Sequence, residues 1–89
     1  MYLSTNLRYL REKNKYTQRL LSKVLGIDRS AYAYYELGQS EPRLENLAKL
    51  ARFFDVTMDQ LLNEDLRQKP FQPIPGPDLR DPEDASVPK

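Results

Sequence analysis

Apolar residues recur at helical spacing through the first 62 positions and lose that order afterwards. Leu3, Leu7 and Leu10 stand at i, i+4 and i+7, one face of a first helix that either Ser4 or Thr5 can cap. Asn14 is expected to end it in a left-handed conformation, with Tyr16 turning back into the core. Thr17 suits the N-cap of a second helix, in which Leu21, Val24 and Leu25 form the apolar stripe with Leu20 beside it. Ser22 is small enough for another helix to approach closely. Gly26 ends this helix without steric penalty.

A third helix begins almost at once. Asp28 is a strong capping residue, and Ile27 with Tyr32 has the spacing of a hydrophobic staple. Ala31, Tyr32 and Tyr35 share one face and are expected in the core. Arg29, Ser30, Ala33 and Tyr34 fall on the opposite face and have no burial role. Gly38 closes the helix, and Gln39-Ser40-Glu41-Pro42 forms a loop. Pro42 disfavours helical geometry at Glu41, so the fourth helix starts near Arg43 or Leu44. Leu47, Leu50, Ala51 and Phe54 repeat at i, i+3, i+4 and i+7. Phe53 lies off that stripe, either half-buried or facing a partner. Thr57 with Gln60 has capping-box spacing and Val56 with Leu61 staple spacing, which starts a short fifth helix running to about Asn63 and burying Leu61 and Leu62.

From there the composition changes. Six of the seven prolines (Pro70, Pro73, Pro75, Pro77, Pro82, Pro88) lie in the last segment. The pattern thus predicts an all-α, compact five-helix domain over 1–63 and an extended or disordered, Pro-rich acidic tail over 64–89. Leu66, Phe71, Ile74 and Leu79 are spaced along that tail in a way that suits wrapping a protein partner.

Composition removes several functions. The chain has 89 residues, with neither cysteine nor histidine. The usual zinc ligands and the commonest general base are missing, no nucleophile–base pair is evident, and no cofactor site is expected. The reading is therefore not an enzyme. No run approaches the ~20 apolar residues that span a bilayer, and the N-terminus lacks a signal-peptide pattern, so a cytoplasmic protein is expected. The formal net charge of +1 conceals an asymmetry. Residues 1–40 carry seven basic and three acidic side chains, and residues 63–89 four basic and six acidic. A basic N-terminal half suits a polyanion, because Lys and Arg release counterions condensed on phosphates.

Two helices joined by a short turn, the second with an exposed polar face, have helix-turn-helix organisation. Residues 6–62 resemble the phage repressor and Cro type of helix-turn-helix domain. The resemblance rests on Leu7, Leu10 and Arg11; on Thr17-Gln18, Leu21, Ser22, Leu25 and Gly26; and on Glu36, Gly38, Pro42, Leu47, Leu50-Ala51, Phe54, Val56 and Leu61-Leu62. It implies a sequence-specific transcription regulator, most simply a repressor, with the third helix in the major groove. It implies that Arg29, Ser30, Ala33 and Tyr34 face base edges. Gln18 would meet a phosphate while buttressing the third helix, with Arg19 beside it, and Gln39, Ser40 and Arg43, with the backbone amides starting the fourth helix, would hold a second phosphate cluster. Arg11 and Glu36 match a family pair tying the first helix to the end of the third. Arg29 can read guanine through O6 and N7 or contact a phosphate near the helix start. Ser22 stands where the family more often has alanine, Asn14 replaces a common glycine, and Glu41 beside the second phosphate set is electrostatically unhelpful.

One such domain makes few contacts, so the resemblance further implies a homodimer on a two-fold DNA operator, half-sites ~34 Å apart. The fifth helix, Phe53, Leu66 or the tail are the candidate interfaces. The alternative is an antitoxin-like regulator whose residues 64–89 wrap a protein partner.

Overall fold

The computed structural model describes residues 1–70; Phe71, Ile74, Leu79 and most of the proposed tail lie outside the described residues. Within them the chain forms α1 (Leu3–Lys13), α2 (Gln18–Leu25), α3 (Arg29–Leu37), α4 (Leu44–Phe53) and α5 (Met58–Asn63), then one 3₁₀ turn (Leu66–Gln68). No strand occurs among the described residues. Helix α3 packs on both α1 and α2, and α5 closes the bundle against α1 and α4.

The core follows the apolar stripes. Leu3, Leu7 and Leu10 of α1 meet Leu21 and Leu25 of α2, Tyr32 of α3, Leu47, Leu50 and Ala51 of α4 with Phe54 just beyond it, and Leu61 of α5. Tyr16 is buried, its ring 5.2 Å from that of Phe53 and 6.5 Å from that of Phe54. Phe53 is half-buried in this aromatic group. Ala31 and Tyr35, expected in the core, are half-buried at its edge, leaving Tyr32 as the residue of α3 that penetrates it.

Helix starts divide into two kinds. Thr17 accepts the Leu20 N–H at 3.0 Å, and Thr57 forms a full capping box with Gln60. Asp28 and Arg43 occupy the N-cap positions of α3 and α4, but neither side chain makes a capping bond. The first helix departs from expectation. It begins at Leu3, ahead of both Ser4 and Thr5, and Tyr2 occupies the cap position without a side-chain bond. The Tyr2 N–H instead donates to the Leu62 carbonyl at 2.8 Å, so a contact with the end of α5 sets this start.

The first four helices end alike. In each, a residue of positive φ turns the chain, and its own amide and the next reach back to carbonyls of the last turn, a Schellman closure. Gly26 (φ 69°) and Gly38 (φ 75°) serve α2 and α3. Lys15 (φ 63°) and Asp55 (φ 58°) serve α1 and α4. The left-handed residue after α1 is thus Lys15 and not Asn14, which keeps right-handed geometry (φ −87°) while its side-chain amide donates to the Leu10 carbonyl at 2.8 Å. The closure is shifted by one residue because the Tyr16 N–H must reach the Arg11 carbonyl, 3.0 Å away, for the Tyr16 ring to enter the core.

Residues beyond α5 join the domain through one buried amide. Asn6, fully buried on α1, donates to the carbonyls of Leu61 (2.8 Å) and Glu64 (2.6 Å) and accepts the Leu66 N–H (3.0 Å). Leu66, counted above with the tail, is consequently buried and packed within the core.

A non-glycine left-handed residue carries ~1–2 kcal/mol of strain, against ~0.5–1 kcal/mol of extra chain entropy lost by glycine on folding. Asp55→Gly should therefore stabilise the domain by about 0.5–1 kcal/mol, seen as a rise of a few degrees in the thermal midpoint. Asn6→Ala strands three backbone groups, two of them in buried hydrogen bonds, and should cost ~2–4 kcal/mol in denaturant unfolding, with hydrogen exchange accelerating first at Leu66.

Candidate nucleic-acid interface

Helices α2 and α3 are joined by Gly26, Ile27 and Asp28, and the closure at Gly26 sets their angle. The Gly26 and Ile27 amides donate to the Lys23 and Ser22 carbonyls at 3.2 and 3.0 Å. A left-handed residue is required there, and glycine takes that conformation freely. Ser22 is buried, its hydroxyl donating to the Arg19 carbonyl at 2.7 Å, so its polar atom is satisfied inside the helix pair.

The other end of α3 is held by charge. Arg11 Nε donates to Glu36 Oε2 at 2.6 Å and Nη2 to Oε1 at 3.1 Å, a two-pronged pair joining α1 to the last turn of α3. The two side chains are only 12% and 3% exposed. Arg11 Nη1 donates to the Tyr16 carbonyl at 3.1 Å, and Gln18 Nε2 to Glu36 Oε1 at 3.1 Å. One carboxylate thus collects donors from α1 and α2 while riding on α3. Tyr32 lies one turn before Glu36, wholly buried; its hydroxyl makes no hydrogen bond of ordinary geometry. Burial, and then the Glu36 carboxylate, push its phenol well above the ordinary range, so it stays neutral beside the ion pair.

Arg29 and Ser30 are exposed in the first turn of α3, and Tyr34 is 48% exposed one turn further on. Ala33 is half-buried. Gln39, Ser40 and Arg43 are exposed along the α3–α4 loop. Gln18 and Arg19 are half-buried in the first turn of α2, Gln18 with its amide on Glu36. The backbone amides of Gln39 and Ser40 already donate to the Tyr34 carbonyl, at 3.0 and 3.4 Å. Any anion at this loop is left with the Gln39 and Ser40 side chains, Arg43, and the first-turn amides of α4, which no side chain caps.

The sequence reading missed Leu37, which ends α3 and is 63% exposed. The helical period did carry the signal, since Leu37 follows Ser30, Ala33 and Tyr34 at i+7, i+4 and i+3. Among the described residues no group of His, Cys, Asp or Glu side chains could hold a metal, and no helix is long and apolar enough to cross a membrane.

This arrangement is that of a helix-turn-helix module presenting its second helix outward. Residues 7–61 match the model of the family described as "Helix-turn-helix". The chain belongs to that family, in its phage repressor and Cro branch, and is a DNA-binding transcription regulator rather than an enzyme. It is 40% identical over 80 residues to the HTH-type transcriptional regulator YqaE of Bacillus subtilis, covering 90% of this chain and 69% of that protein. It is 44% identical over 66 residues to AnsR of the same organism, covering 74% of this chain and 54% of that regulator. Repressor protein C2 of Salmonella phage P22 is 33% identical over 66 residues, 74% of this chain and 31% of the phage protein. The chain thus spans between 31% and 69% of these regulators' lengths. No solved structure matches.

Deleting one partner of a largely buried, hydrogen-bonded pair leaves the other charge stranded, which costs ~3–5 kcal/mol. Arg11→Ala and Glu36→Ala should each lose about that much in urea unfolding. The double substitution should lose distinctly less than the sum, a coupling that a pair of independent surface charges does not show.

Proposed function

We propose that this regulator is a repressor, acting as a homodimer on a two-fold operator and blocking transcription by occupancy. In this reading α3 lies in the major groove. Arg29 donates its fork to guanine O6 and N7, Ser30 and Tyr34 contact neighbouring edges, and Ala33 offers apolar contact. Gln39, Ser40, Arg43 and the uncapped amides of α4 receive phosphates on one flank. On the other flank, Arg19 and Gln18 meet the backbone, Gln18 with its second amide hydrogen while the first holds Glu36.

The observation that carries the proposal is the tie between Arg11, Gln18 and Glu36. It spends buried charge on the orientation of a nine-residue helix whose outer face has no packing role. A helix that merely filled the core needs no such fixing, whereas groove readout tolerates little angular freedom. The relatives support regulation generally, and one named a repressor supports the sign chosen here. A second copy follows from affinity, since one module supplies too few contacts for selective binding.

Arg29→Ala tests the register. At fixed salt, its affinity for an operator selected from random DNA should fall about tenfold to a hundredfold, the loss expected for one bidentate base contact. Affinity for unrelated duplex should change far less. Equal losses on both would make Arg29 a backbone contact.

A further inference from the structure

The proposed base-reading positions include one strong hydrogen-bonding side chain, Arg29, at the start of α3. The far half of the same face is apolar. Ala33, Tyr34 and Leu37 follow Ser30 at i+3, i+4 and i+7, so the four form one unbroken stripe along the helix. Leu37 is 63% exposed and takes no part in closing the helix, because the amides of Gly38 and Gln39 do that through the Tyr35 and Tyr34 carbonyls. It does not belong to the core. A leucine here leaves a large apolar surface in water at the edge of the face proposed to meet DNA.

Chemistry narrows what can cover it. Phosphates and the polar groups of base edges gain nothing from a leucine side chain. The major groove carries one apolar group on its base edges, the C5-methyl of thymine. We infer that Leu37 is a further specificity-determining residue, which packs on a thymine methyl and carries readout to the end of α3. Seven residues at a rise of ~1.5 Å place Leu37 about 10 Å along the axis from Ser30, roughly three base steps at ~3.4 Å each. The half-site therefore has guanine under the first turn of α3 and thymine under the last. This rests on the reading that places α3 in the major groove.

The test uses the full chain and an operator obtained by selection from random DNA. Each thymine of one half-site is replaced in turn by deoxyuridine, which removes only the methyl group. Wild-type protein should lose about fourfold in affinity at one thymine on the Leu37 side, the loss expected for one buried methyl. Leu37→Ala should bind the unmodified operator more weakly and lose its sensitivity at that thymine alone. Thermal unfolding of Leu37→Ala should match wild type, because the side chain is outside the core. If Leu37→Ala binds like wild type, or keeps the same uracil sensitivity, the assignment is wrong. A variant that weakens binding equally on thymine and uracil operators makes Leu37 a sugar contact, which also overturns it. So does a variant whose self-association alone changes. In each of these cases a selected operator sensitive to Arg29→Ala leaves the groove reading standing. If selection yields no preferred sequence, both fall together.

Discussion

The Arg11–Glu36 pair is the interaction on which the rest of the arrangement depends. Its carboxylate sits in the last turn of α3, is 3% exposed, and has both oxygens occupied by Arg11 while Gln18 adds a third donor. Arg11 also binds the Tyr16 carbonyl, so the same guanidinium fixes the end of α1 and the entry to α2. Three helices therefore converge on two side chains. A buried ion pair seldom adds much net stability over an apolar replacement, because desolvation of both charges opposes their attraction. Its directional value is different: a planar fork on a carboxylate permits one relative orientation of the helices that carry them.

That constraint explains the division of labour in α3. Tyr32 alone is driven into the core, and Tyr35 packs edge-on against it at 6.0 Å between ring centres. With one deep anchor, a nine-residue helix could roll about its own axis. The glycine closure at one end and Glu36 at the other prevent the roll, and the outer stripe from Arg29 to Leu37 is held at a set angle. The helix needs little burial because it is braced at its ends.

Much of this was legible in the chain. Apolar repeats located the first, second and fourth helices, and cap and staple spacings the third and fifth, since each must bury one stripe in a domain too small to offer any other core. Thr17, Gly26, Gly38 and the Thr57–Gln60 box marked ends correctly because their chemistry is satisfied within four residues. The misplaced ends share a cause. The start of α1 is set by the Leu62 carbonyl and its left-handed terminus by the burial of Tyr16, both governed by contacts that local spacing does not encode. Leu66 was read with the proline-rich segment that follows it. Its place in the core depends on Asn6, sixty residues earlier, which on sequence alone looks like any polar residue on a helix.

The sequence by itself determined the helical class, the turn between α2 and α3, and the family, because caps, glycines and apolar periods are local statements of what the backbone can do. Tertiary structure decided which polar groups serve the fold and which are left for a partner. Glu36 is as polar as Arg29 and Gln39, yet its side chain is enclosed with that of Arg11 while the other two face water. Only the packing of α1 against α3 makes that distinction, since it removes solvent from one set and leaves it on the other.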